Sequence, residues 1–266
     1  MIEMPYVRQA VEFPVTYAYG PDSFPQPGVP AGRVDEFAWN ESAIFPATTR
    51  RYWVYVPAAY TPSEPAPLMV FQDGWLYLDP DGAYRVGIVL DNLIHRGEMP
   101  ATVVVFVDPG EPDNRNPEYD PFDDVYATFL STEILPSALD GLNITDDPEN
   151  WAIGGGSAGG YCGLSVAWHR PDRFRRVLSL VGGGPDPALI ARTPAKPLRI
   201  FMQAASRDTN WNAPNDNMFA EDLRVAAAFA EGGYDFRLVL GDGHHSPAPG
   251  NHGATIMPDA LRWLWR

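Results

Sequence analysis

The chain has 266 residues, near the upper size for a single hydrophobic core. Its 19 Lys and Arg against 34 Asp and Glu leave a formal net charge of −15, which speaks against nucleic acid and anionic membrane surfaces as partners, since cationic side chains supply that affinity. One cysteine, Cys162, excludes an intrachain disulfide. No apolar run approaches the ~18 residues of a membrane span, and Met1–Phe13 carries no apolar signal core, so a cytoplasmic location is expected.

Residues Met1 to Ala31 hold six prolines and no helical period. They predict an extended arm on the body of one domain that spans residues 1–266. The loosely alternating segment Gly32–Phe45 and the β-rich Arg51–Val56, stopped by Pro57, predict an antiparallel hairpin at one edge of a larger sheet. Beyond it, strands alternate with helices. Leu68–Phe71, Thr102–Val107, Trp151–Ile153, Arg176–Val181, Leu198–Met202 and Phe236–Leu240 are short apolar runs. Between them lie helical patterns over Tyr84–His95, Asp123–Leu139 (interrupted at Pro136), the small-residue stretch before Pro171, Asp216–Glu231 and Pro258–Trp265. This alternation predicts an α/β fold: a mostly parallel central sheet, helices on both faces and an antiparallel N-terminal edge. Ligands of such sheets sit outside the carboxyl ends of the strands. Gln72-Asp73-Gly74, Ser157, Asp208 and three of the histidines all fall at those ends.

Gly155-x-Ser157-x-Gly159 lies between a buried strand and a helix, with the spacing of a nucleophile elbow. That turn strains the serine backbone so that the hydroxyl stands clear of the sheet. Glycine two positions either side has a steric reason, because strand and helix approach closely there. The amide of Ala158, at the helix N-terminus, would face developing negative charge. Cys162, in the same helix, reads as a small buried hydrophobe.

A serine hydroxyl needs a base to take its proton and a third group to orient that base. In doubly wound hydrolases the chain order is serine, acid, histidine. Asp208 follows one strand and His245 the last, and these are the preferred acid and base. His252 and His244 are the alternatives for the base, and Asp186 for the acid. A metal site built from the three histidines and Asp242 lacks a compact ligand spacing, so neither metal nor cofactor is expected. The second oxyanion donor is expected to be the amide of Trp75, after Gln72-Asp73-Gly74. Tyr77, Tyr161 and Trp211 are candidates to line a substrate pocket. The acidic segment Asp108–Asp124, with Arg115 within it, is expected to be a solvated loop.

Tyr52-Trp53-Val54-Tyr55-Val56-Pro57, the Gln72-Asp73-Gly74 loop, Gly155-Gly156-Ser157-Ala158-Gly159-Gly160 and Gly243-His244-His245-Ser246 together resemble the esterase D and enterochelin-esterase-like branch of the α/β hydrolases. Feruloyl esterases, S-formylglutathione hydrolases and mycolyltransferases are relatives in that branch. The resemblance covers the chain from about Gly32 onward. It implies an α/β-hydrolase fold and a serine carboxylesterase acting on small-molecule esters through an acyl-enzyme. Ser157, Asp208 and His245 would form the triad, and the amides of Trp75 and Ala158 the oxyanion hole. Acyl transfer, siderophore or lactone hydrolysis, and a non-catalytic binding role on the same fold are the alternatives. The chain departs from the pattern at Gly243-His244-His245, where relatives often show Gly-Gly-His, and at Ala204-Ala205, where the acid loop usually carries Asp-Gly. The resemblance implies an additional amino-terminal domain in full-length enterochelin esterases, which is not expected here, so siderophore hydrolysis is not assumed. No oligomeric state is assigned.

Overall fold

A computed structural model describes residues 15–266. Eight strands form one sheet: β1 (Arg33–Trp39), β2 (Arg50–Val56), β3 (Leu68–Gln72), β4 (Val103–Val107), β5 (Trp151–Gly156), β6 (Arg176–Leu180), β7 (Arg199–Arg207) and β8 (Asp235–His244). Their order across the sheet is β1-β2-β4-β3-β5-β6-β7-β8. The β1/β2 and β2/β4 pairs are antiparallel and every later pair is parallel. An antiparallel edge therefore opens a parallel sheet, as the hairpin and the alternation predict.

The central strands read as continuous apolar runs because helices cover both of their faces. Val54, Val70, Val105, Ile153, Val177 and Ile200 point to one face, under the helices Ala158–His169 and Met218–Glu231. Tyr55, Met69, Phe71, Val104, Phe106 and Leu178 point to the other, under the helices Val86–His95 and Met257–Trp265. The period-2 alternation of side chains along a strand divides one apolar sequence between two cores. Cys162 is buried in the first core, and burial raises its thiol pKa well above the usual range.

Two segments differ from expectation. The helix expected to break at Pro136 stays helical, but a π turn at Leu130–Ile134 precedes the proline. Proline has no N–H and crowds the carbonyl four residues back, and a wider turn relieves that crowding. The last strand does not stop at Leu240; it continues through Gly241-Asp242-Gly243 to His244, paired with β7. The N-terminal arm falls outside the described residues up to residue 14. From Tyr17 onward it is tied to the histidine loop: Tyr17 N–H donates to Gly250 C=O (2.8 Å), and Asp242 N–H donates to the Tyr17 hydroxyl (2.7 Å). Among the described residues, no helix is long and apolar enough to cross a membrane.

Candidate active site

Ser157 stands between β5 and the helix Ala158–His169 with φ 56° and ψ −133°, a conformation that costs a non-glycine residue energy and persists only where the surroundings impose it. Two constraints impose it here. Ser157 N–H donates to Leu180 C=O on β6 at 2.9 Å, while the Ser157 carbonyl accepts from Gly160 and Tyr161 in the first helical turn. The glycines let strand and helix close on each other. A Cβ on Gly155 would lie 2.9 Å from the carbonyl carbon of Gly159, and one on Gly159 would lie 3.0 Å from Asp73 Oδ2. Ala158 is the first residue of the helix, where an amide has no intrahelical acceptor.

Asp208 follows β7 and His245 follows β8. The two strands are parallel neighbours, and their register shifts between Ala205 and Arg207, so that Arg207 pairs with His244. The bulge sets the next residues, Asp208 and His245, side by side. Their side chains meet: His245 Nδ1 lies 2.7 Å from Asp208 Oδ1. A carboxylate only accepts, so Nδ1 carries the proton and Nε2 is left as the basic nitrogen. Thr209 N–H donates to the same oxygen at 2.6 Å. The Asp208 side chain is 0 % exposed and the imidazole 28 % exposed.

The alternatives are engaged elsewhere. Asp186 caps the helix Pro187–Arg192, accepting from Ala188 N–H at 2.8 Å. His244 is exposed, with Nδ1 3.2 Å from the Arg207 carbonyl. His252 opens the short helix His252–Thr255 against the Tyr17 ring, 4.9 Å between centroids, and burial lowers its imidazole pKa. Among the described residues, no group of three or more His, Cys, Asp and Glu side chains is placed to hold a metal ion.

Two clefts flank the elbow. One of 350 Å³ is lined by Ser157, Ala158, Tyr161, Asp120 and Met218. A larger one of 700 Å³ is lined by Trp75, Arg51, Asp73, Asp108 and Pro247. Arg115 borders both. It grips Asp73 with two bonds, Nε to Oδ1 at 2.8 Å and Nη2 to Oδ2 at 2.7 Å, and Asp73 itself has φ 58°. Trp75 is 56 % exposed, and its amide donates to Asp108 Oδ1 at 3.0 Å.

Tyr77 does not line either cleft. Its ring is wholly buried against Phe71 and Tyr84, because the short helix Gly74–Leu78 turns that face into the core. Tyr161 does line the smaller cleft. Trp211 is exposed, with the Arg207 guanidinium over its ring. The acidic segment also departs from expectation. Asp108 and Glu118 are buried, Glu118 in a salt bridge to Arg50 at 2.6 Å. The pairing of Arg115 with Asp73 and of Asp108 with the Trp75 amide is not foreseen from the sequence, although a lone cation inside an acidic run is a visible signal.

A serine on a strained turn after a central parallel strand, on this sheet, defines an α/β hydrolase. The sequence model of the Esterase family matches residues 46–237. The chain belongs to that family. The iron(III) enterobactin esterase of Dickeya dadantii (strain 3937) is 27% identical over 256 residues, which cover 88% of this chain and 55% of that protein. The chain thus spans about half the length of this curated relative. The enterobactin esterase of Shigella flexneri, solved in the presence of enterobactin, superposes with a TM-score of 0.73 at 24% identity over 92% of this chain and 61% of that one. A mutant feruloyl esterase module from Clostridium thermocellum, solved with sinapinate, superposes with a TM-score of 0.69 at 18% identity, over 95% and 94%. At these identities the structural likeness is one of fold.

Proposed function

We propose that the protein hydrolyses small-molecule carboxylic esters through an acyl-enzyme on Ser157. The single observation that carries this reading is the 2.7 Å bond between His245 Nδ1 and Asp208, beyond the carboxyl ends of the same set of parallel strands as a serine held at positive φ. Ser157 Oγ attacks the ester carbonyl while His245 Nε2 takes its proton, and Asp208 holds the imidazole and stabilises its charged form. The tetrahedral oxyanion is met by the amide of Ala158 and, once it is released from Asp108, the amide of Trp75. His245 returns the proton to the leaving alcohol, and water then repeats the sequence on the acyl-enzyme.

The names of the relatives direct the choice of substrates. Esters of aromatic acids suit a surface on which Tyr161 lines the smaller cleft and exposed Trp75 the larger, aromatic side chains that offer large apolar contact area. The test is turnover of an ester panel, aryl and alkyl acyl groups on a common leaving group, by wild type and Ser157→Ala. The variant should lose at least about 10³-fold in kcat while its circular dichroism spectrum is unchanged. Wild-type rates in that variant would sink the mechanism.

A further inference from the structure

Arg115 and Asp73 take no part in the proton transfers above, yet their ion pair reaches the backbone on both sides of the proposed oxyanion hole. Arg115 opens the short helix Arg115–Tyr119 in the acidic segment. Its Nε and Nη2 donate to the two carboxylate oxygens of Asp73 at 2.8 and 2.7 Å, and Nη2 also donates to the Gly156 carbonyl at 3.4 Å. Asp73 stands two residues before Trp75, and Gly156 two residues before Ala158. One guanidinium from a third segment thus joins the two backbones that carry the proposed donor amides. Its planar fork fixes direction as well as distance, which the point charge of a lysine ammonium does not.

The local backbone makes such a tie necessary. Between β3 and Trp75 the chain turns through Asp73, at φ 58°, and Gly74, where a Cβ would lie 2.7 Å from that of Phe106. Aspartate tolerates the left-handed region better than most residues, but the surroundings must still hold it there. The same carboxylate lies against the elbow: a Cβ on Gly159 would come within 3.0 Å of Asp73 Oδ2. The Asp73 side chain is 7 % exposed and that of Arg115 28 %. An uncompensated carboxylate in that place would oppose negative charge developing at Ser157, and a buried charge without a partner is itself destabilising. Arg115 supplies the opposite charge and both hydrogen bonds.

We propose that Arg115 and Asp73 are a positioning pair that sets the Trp75 amide relative to that of Ala158 and neutralises the carboxylate beside the elbow. The Trp75 amide rests on Asp108, and the substrate oxygen must replace that contact. When Asp108 lets go, the bidentate pair keeps the loop where it is, so the amide meets the oxyanion without reorganising. Arg115 borders both clefts, so a substrate seated in either lies beside the pair.

The proposal rests on the Ser157 acyl-enzyme reading, and its test separates the two. The variants are Arg115→Gln, Asp73→Asn and the double variant, with Ser157→Ala beside them. Asparagine tolerates the left-handed region that Asp73 occupies, so Asp73→Asn alters charge without adding backbone strain. Active sites are first counted by labelling to completion with an aryl phosphonate, so that misfolded protein does not enter kcat. Per active site, Arg115→Gln should lose about 10²-fold in kcat on an activated aryl ester, with KM within about threefold of wild type. Asp73→Asn should lose only about tenfold, because its amide oxygen still accepts from Arg115 and the charge left behind is positive. The double variant, a neutral amide pair, should be about tenfold faster than Arg115→Gln. Hydrogen exchange reads the tie without turnover: in Arg115→Gln, segments 73–78 and 156–161 should both exchange faster than in wild type, and the helix Met257–Trp265 should not. An unchanged kcat in Arg115→Gln, a rise in KM alone, equal losses in the two single variants, no rescue in the double variant, or exchange quickened in only one of the two segments would each overturn the proposal. A wild type that the phosphonate does not label, or retained activity in Ser157→Ala, would instead sink the acyl-enzyme reading, and the exchange result would still report on the pair.

Discussion

The amide of Trp75 is bonded to a carboxylate: Asp108 Oδ1 accepts from it at 3.0 Å. In the mechanism proposed above that amide is the second oxyanion donor, and on that reading Asp108 would have to release it before the substrate oxygen could take its place. Asp108 is buried, and burial pushes its carboxyl pKa up, opposed by the Trp75 amide and by Arg51, whose Nη2 is 3.4 Å from Oδ2. A negative charge beside a developing oxyanion opposes it. Asp108→Asn keeps the shape and removes the charge. It should raise kcat/KM for small activated esters by about threefold to tenfold. A rate that is unchanged or lower would make Trp75 a scaffold donor and put the oxyanion hole elsewhere.

Asp208→Asn tests the orienting acid. An asparagine at this buried position presents an N–H₂ or a weaker acceptor to His245 and permits the wrong tautomer. The expected cost is about 10³–10⁴-fold in kcat with KM nearly unchanged. Steady-state kinetics on one activated ester decide it, and Asp186→Asn, which alters only an exposed helix cap, serves as a control expected near wild type.

Asp222 also links stability to pH. Its pKa is raised from 3.8 to about 7 in the folded state, so between those values the folded protein holds a proton that the unfolded chain has released. Stability contributed by this group is fully present below the unfolded pKa and is lost as pH rises toward the folded pKa. Asp222→Asn does not titrate. Relative to wild type it should gain stability progressively from about pH 4 to about pH 7, by up to a few kcal/mol, and hold the gain above that. Urea midpoints measured across this range check the sign. A difference that does not change with pH would refute the linkage.

The pair Arg50–Glu118 fastens the acidic segment to the sheet. Both side chains are buried, 0 % and 2 % exposed, and the guanidinium also lies 4.3 Å from the Phe129 ring centroid. Glu118 further accepts from Gly110 N–H at 3.2 Å. Removing one partner leaves a buried charge uncompensated. Glu118→Leu should therefore destabilise by about 3–5 kcal/mol. Adding Arg50→Met should recover much of that loss, because an apolar pair avoids the desolvation of two charges. Thermal melts of the single and double variants separate pair energy from packing.

Much of the fold was legible because its signals are local. Leu68–Phe71 reads as a short apolar run and the β-branched Thr102–Val107 as a strand covered on both faces, and the spacing of Gly155, Ser157 and Gly159 encodes a steric need met within five residues. What escaped depended on partners far along the chain. Gly241-Asp242-Gly243 has the composition of a turn, yet pairing with β7 extends β8 through it. The run Asp108–Asp124 has the composition of a solvated loop, yet Arg50 from β2 draws Glu118 inward. Tyr77 lies close in sequence to the Asp73-Gly74 loop, but the helix it belongs to faces the core.

By itself, the sequence determined the alternation of strands and helices, the strained serine turn, and the serine, acid, histidine order along the chain. Those features depend on side-chain period, backbone sterics and residue type over short spans. The tertiary structure alone decided which histidine meets which acid, because a one-residue register shift between β7 and β8 selects His245 for Asp208. It also decided that Asp108 holds the Trp75 amide and that Asp222 is buried with Oδ1 on the Gly183 amide. Burial and charge proximity arise only when strands far apart in the chain are packed into one sheet.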